Sequence, residues 1–232
     1  MVVVLVIIIT SAALIFGAIW GSYLKLPKNV EGFIVAMAGG ALIVSVMDEL
    51  IRPALTDLPL YGVIGTVLGG AIVFTGLDAW VGDRFGDHGG LGLLLAVTLD
   101  GVPENLALGS ALIGTGALGV AALAGSIFLS NLPEAAGGAR KMIDQGKSKA
   151  TALWMWTGVA LLLSAAALGG YYALESAPEG WIAVIRCFAA GAVLASLATE
   201  VFPTAFRDDA KWTGIAVAVG LSLALALSQL GD

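Results

Sequence analysis

Charge is scarce in this chain: only 12% of its 232 residues are Asp, Glu, Lys or Arg. A soluble domain is about one quarter charged, so a surface that faces water on all sides is excluded. The basic excess that nucleic-acid binding requires is also missing, since the net charge is −6. Cysteine is down to Cys187, which forms no intrachain disulfide, fits no thiolate metal spacing and reads as a small apolar side chain. Histidine is down to His88. That rules out the His-Glu-x-x-His of a zinc hydrolase and a Ser/His nucleophile pair, and the paired Asp motif of intramembrane proteases is missing too. The chain is therefore not expected to be an enzyme.

What the chain has is apolar length. Hydrophobic residues make up 59% of it, and its mean hydropathy is +0.96. A bilayer core takes about 20 apolar residues per helix. Eight segments qualify, at roughly 2–24, 31–54, 61–82, 91–113, 117–143, 150–174, 181–206 and 212–230. The expected fold is an all-α integral membrane protein with a single polytopic domain over 1–232. Its segments group as helices 1–3 (about 2–82), 4–5 (about 91–143) and 6–8 (about 150–230). The first segment lacks a positive n-region and is too long for a signal-peptide core, so it reads as a spanning helix.

Trp20, Trp80, Trp154, Trp156, Trp181 and Trp212 fall near segment ends, where an aromatic belt belongs. Lys25, Lys28, Arg84, Arg140, Lys141, Lys147, Lys149, Arg207 and Lys211 occupy the odd-numbered links, against Arg52 and Arg186 on the other side. The positive-inside rule then puts the odd links in the cytoplasm and both termini outside. A multi-pass protein of the plasma membrane is expected, with the lipid bilayer as its main partner.

The middle of the chain breaks the apolar pattern. Leu99–Gly109 carries Asp100 and Glu104, one helical turn apart, around Pro103. The same polar-x-x-Pro-Glu device recurs in the next segment as Ser130, Asn131, Pro133 and Glu134. An ionisable group near the bilayer centre costs about 2.5–3.5 kcal/mol on the lenient insertion scale. Positions i and i+4 share a helix face, so Asp100 pairs with Glu104 and Ser130 with Glu134. Each proline removes an N–H, which makes Pro103 and Pro133 helix-breaking candidates and frees the carbonyls of Leu99 and Leu129. The donor set is all oxygen: three carboxylates, an amide, a hydroxyl and two carbonyls. Carboxylates this close repel unless a cation neutralises them. Oxygen donors suit hard divalent ions. A kinked helix with protonated carboxyls, and a metal-free proton relay, are the competing readings.

There is also an internal repeat. Ala38, Gly40, Ala41, Ser45 and Glu49 match Ala189, Gly191, Ala192, Ser196 and Glu200, 151 positions later. The matched segments are five apart and so run in opposite directions. Halves related in this way mark secondary transporters, with the site near the midplane.

With these motifs, eight spans and outside termini, the chain resembles the ZIP family of divalent-metal transporters. The family's fourth helix typically reads His-Asn-x-Pro-Glu-Gly, where this chain has Asp100-Gly101-Val102-Pro103-Glu104-Asn105. Its fifth typically places a His or Gln, an acidic or amide residue, x-Pro and then Glu or His, where this chain has Ser130-Asn131-Leu132-Pro133-Glu134. The family's usual histidines are absent, and Gly101 stands in place of its Asn. The resemblance implies a 3+2+3 inverted-repeat arrangement, with Asp100, Glu104 and Glu134 as metal ligands and Ser130 and Asn131 as further candidates. It implies that segments one, four, five and six slide against two, three, seven and eight, and it is compatible with a homodimer. It also implies transport of a divalent transition metal (Zn, Mn, Fe, Co or Cd) toward the cytoplasm as cargo, with no resident cofactor. A proton-coupled or other cation transporter on the same scaffold is the alternative.

Asp48, Glu49 and Glu200 lie near segment mouths, where they would concentrate cations. Ser45 and Ser196 are candidates for lining the same route, against the ordinary reading of serines bonded back to their own helix. Asp78 reads as a solvated helix end, and His88 with Asp83 and Asp87 as a solvated loop.

Overall fold

The computed structural model describes residues 2–24, 27–85, 90–113 and 119–231. Lys25, Asp87, His88 and the Gly114–Gly116 link lie outside the described residues. Ten α-helices and two π-helical turns make up the rest, with no strand among the described residues. In chain order they are α1 (Val2–Tyr23), α2 (Lys28–Ser45), the turn π1 (Val46–Ile51), α3 (Arg52–Asp57), α4 (Leu60–Phe85), α5 (Gly90–Ala111) and α6 (Ala121–Asp144). Then come α7 (Lys149–Leu174), α8 (Glu179–Ser196), the turn π2 (Leu197–Val201), α9 (Phe202–Asp208) and α10 (Thr213–Gly231). Two of the rods are continuous through their π turns, Lys28–Asp57 and Glu179–Asp208.

Runs of Val, Leu, Ile and Ala with few polar residues have one way to satisfy their backbone in hydrocarbon, and that is the helix. Among the described residues, five helices are long and apolar enough to cross a membrane: Val3–Tyr23, Lys28–Asp57, Leu60–Arg84, Lys149–Leu174 and Glu179–Asp208. The protein is therefore membrane-embedded and all-helical. The carboxylate-bearing α5 and α6 are not among the five, and α10 counts only as a shorter apolar helix. Local signals set the ends. Ser148 caps α7 by accepting the Thr151 N–H at 3.0 Å. Gly146 at φ 88° ends α6, with the Lys147 N–H reaching back to the Met142 carbonyl at 3.0 Å, as a left-handed C-terminal glycine permits.

The helix breaks expected at Pro103 and Pro133 do not occur, because α5 and α6 run through both prolines. The irregular turns lie elsewhere. π1 is followed by Pro53 and π2 by Pro203, each in the first turn of the next helix. A proline cannot donate to the carbonyl four residues back, and its ring collides with it. Opening one turn into π geometry absorbs that conflict. The two turns begin 151 positions apart, the spacing of the sequence repeat.

Packing divides the helices into two groups. One holds α1, α5, α6 and α7 around Leu14, Ala18, Val97, Ala135, Ala139, Met142, Trp156 and Leu163. The other holds α2–α4 and α8–α10. Within each group backbones touch at glycines. Gly40 abuts the Val217 carbonyl and Gly220 the Met37 carbonyl, joining α2 to α10. Gly191 abuts Val67 and Gly70 abuts Phe188, joining α8 to α4. Gly17 and Gly21 join α1 to α6, and Gly109 and Gly170 join α5 to α7. Between the groups lies an apolar layer that includes Val35, Leu42, Leu50, Leu108, Leu123, Ile127, Val193 and Leu197. Gly137, the glycine that meets the opposite group, touches a side-chain oxygen of Glu31 rather than backbone.

Candidate functional site

Asp100 and Glu104 stand on α5, one turn apart, at 7% and 3% exposure. On α6, Ser130 and Asn131 are buried and Glu134 is half-buried. A cavity of about 700 Å³ reaches this region. Its inner wall includes Asp100, Glu134 and Glu200, and its mouth is ringed by Lys28, Glu31, Arg140, Asp144 and Arg207. The mouth therefore lies at the Lys/Arg-rich end, where α1, α4, α6 and α9 finish and α2, α5, α7 and α10 begin. Lys149 over the Tyr23 ring, 4.1 Å from its centroid, ties two of those termini together.

The carboxylates act on one another. Glu104 feels the charges of Asp100, Glu134 and Glu200, and Glu134 those of Asp100 and Glu200. Among the described residues, no ion pair involves Asp100, Glu104 or Glu134. Among the same residues, no three His, Cys, Asp or Glu side chains close into a group that could hold a metal ion. The arrangement is an open acidic wall rather than a finished cage.

The remaining candidates sort by position. Ser130 donates to the Ile127 carbonyl at 3.1 Å, the back-bond typical of serine in a helix. Ser45 and Ser196 do not follow that habit. Both are buried, at 0% and 1% exposure, and neither hydroxyl has a well-formed hydrogen bond. Ser196 faces the Asp100 carboxylate. Glu49 lies at the opposite end from the cavity mouth, where its Oε1 accepts the Leu123 N–H at 3.1 Å. It thereby caps α6, which has no side-chain cap of its own. Asp48 is neutralised by Arg52 at 2.8 Å and accepts a hydrogen bond from Ser228 at 3.1 Å. Glu200 lines the same cavity as Asp100 and Glu134.

Three residues to which the sequence reading gave no site role also lie near the candidate site or at the ties between the helix groups, Asp78 having been read as a solvated helix end. Asn105 is 1% exposed and donates to the Gly101 carbonyl at 2.8 Å; its place directly after Glu104 is the signal. Asp78 is half-buried on α4 and near enough to Asp100 to act on its charge. Arg186 bonds the Ser110 carbonyl across α8 and α5 at the end opposite the cavity mouth; an arginine inside an apolar span was its signal. No family model and no curated protein matches the chain significantly.

Proposed function

We propose that the chain is a transporter of divalent cations, a ZIP-like carrier that works by alternating access through Asp100, Glu104 and Glu134. One observation carries the reading: Asp100 and Glu134, on neighbouring helices, line a cavity open at the Lys/Arg-rich end, while the other end is tied by Glu49 to Leu123 and by Arg186 to Ser110. A route open at one end and bonded shut at the other is what alternating access requires. Buried carboxylates without ion-pair partners favour a cationic cargo, and an all-oxygen wall favours a hard divalent ion.

The packing supports the 3+2+3 inverted repeat. Gly40 and Gly191, 151 positions apart, make the same contact with carbonyls of α10 and α4, and Met37 and Phe188 supply the reciprocal carbonyls. The two helix groups coincide with the sliding units that the ZIP resemblance implies. With the Lys/Arg-rich end in the cytoplasm, the cavity faces inward, and the ZIP resemblance implies net movement toward the cytoplasm. The plasma membrane is the proposed location, and a homodimer is compatible with the same likeness.

The test is uptake into proteoliposomes across Mn, Fe(II), Co, Zn, Cd, Mg and Ca. Saturable uptake of at least one ion is expected, lost in Glu134→Ala and Asp100→Ala while helical content and monodispersity persist. If no ion is taken up by folded protein and a proton gradient instead drives another substrate, the proton-coupled alternative replaces this reading.

A further inference from the structure

We infer that the cavity mouth closes by a slide of α6 along α2 through about one turn, in which Arg140 replaces Gly137 opposite Glu31 and forms an ion pair with it across the two helix groups. The inference rests on the alternating-access reading above and names the contact that holds its second state.

The α2 rod and α6 lie antiparallel and meet at both ends through a carboxylate of the rod. At the end away from the mouth, Glu49 Oε1 accepts the Leu123 N–H at 3.1 Å. At the mouth, Glu31 packs on α6 at Gly137, where a β carbon would stand 2.8 Å from Glu31 Oε1. The two contacts differ in what they satisfy. Glu49 caps the first turn of α6. Glu31 is in no ion pair among the described residues, and the charges acting on it belong to its own group, Asp208 and Lys28.

The cation that a slide would deliver is already on the right face of α6. Positions i and i+3 of a helix are neighbours, so Arg140 follows Gly137 nearer the mouth, about 4.5 Å along the axis. Glu31, Gly137 and Arg140 all line the cavity. Arg140 pairs with Asp144 of its own helix at 3.2 Å. An exposed i,i+4 pair contributes little and is readily exchanged. Opening the far end and closing the mouth carries α1, α5, α6 and α7 toward the far end. That movement pulls the start of α6 past Glu49 and brings Arg140 level with Glu31. Asp208, next to Glu31, adds to the pull on the incoming guanidinium. One rod thus offers two carboxylates to one helix, and each state uses one of them. Packed elements that step past one another by a turn are a known form of two-state switch.

The test is the labelling rate of Ser126→Cys by a small thiol reagent, in the purified full chain in detergent with Cys187→Ser. Position 126 is 1% exposed and lies near the far end, so its reaction reports the second state. Glu31→Gln and Arg140→Gln each slow the reaction about 2–5-fold, as loss of one partly exposed ion pair requires. The double variant is no slower than either alone, and Arg140→Lys keeps most of the wild-type rate. Asp144→Asn, which releases Arg140 from its present partner, speeds the reaction. Melting curves of these variants match wild type. A wild-type rate in Glu31→Gln, or losses in the two single variants that simply add, would overturn the pairing, and uptake of a divalent ion by wild type would leave the transport reading standing. A folded protein whose Ser126→Cys never reacts, and which takes up no ion, would overturn both.

Discussion

Under the transport reading, Glu49 and Arg186 are the residues that tie the two helix groups together at the end away from the cavity mouth. Glu49 reaches from the α2 rod to the first turn of α6, and Arg186 from α8 to the last turn of α5. Both ties cross between the groups through long side chains, so each can be released without unpacking a helix. Arg186 also keeps its Nε buried without a partner, a cost that breaking the tie would relieve. In Arg186→Gln the loss of a charge-assisted bond, worth about 1.5–3 kcal/mol, shifts the population toward opening at that end. A Ser126→Cys reporter, at a position 1% exposed, then reacts faster with a small thiol reagent than it does beside Arg186. An unchanged rate would show that Arg186 is not a latch. Glu49→Gln has the same direction and a smaller effect, since an amide oxygen still accepts the Leu123 N–H.

At the scale of elements, the π turns decide where the acidic residues point. Pro203→Ala restores the N–H that can bond the Thr199 carbonyl and removes the ring's collision with it. The turn then relaxes toward α geometry, and Glu200 rotates off the cavity wall. Uptake falls at least tenfold while thermal stability holds or rises, checked by initial rates beside a melting curve. This is where the sequence was least legible. The all-helical, membrane-embedded character could be read from hydropathy, tryptophans and links, because bilayer length and backbone satisfaction leave few options, while five of the eight apolar segments expected to span form, among the described residues, helices long and apolar enough to cross a membrane. The π turns could not be read, since Val46–Ile51 and Leu197–Val201 have an ordinary helical composition, and the prolines that drew notice were Pro103 and Pro133. The pairing of Asp100 with Glu134 on facing helices was visible in the repeated motif. The arrival of Glu200 on the same cavity lining depends on how α8 lies along α5, which no local pattern encodes. Ser130 donates its hydroxyl proton to the Ile127 carbonyl of its own helix, a bond that the motif does not announce and that leaves its oxygen lone pairs available.

For the whole molecule, an open mouth at the Lys/Arg-rich end makes a prediction about sidedness. Thr204 lines the cavity, and the native Cys187 is fully buried. In a Cys187→Ser background, Thr204→Cys reacts with a membrane-impermeant thiol reagent from the cytoplasmic face only, and Mn(II) slows the reaction. Labelling from the outer face would reverse the orientation. The glycine crossings reach further than this one state. At positions 17, 21, 40, 70, 109, 170, 191 and 220 a β carbon would meet carbonyl backbone, where overpacking costs about 1–3 kcal/mol. Among the described residues, the layer between the groups has no such glycine crossing and tolerates volume-conserving exchange. A saturation scan scored on expression alone would therefore draw two separate islands where no larger residue is accepted, one per group, with a seam between them that accepts apolar residues of similar volume. The moving boundary would be mapped by which substitutions survive, with no transport assay required.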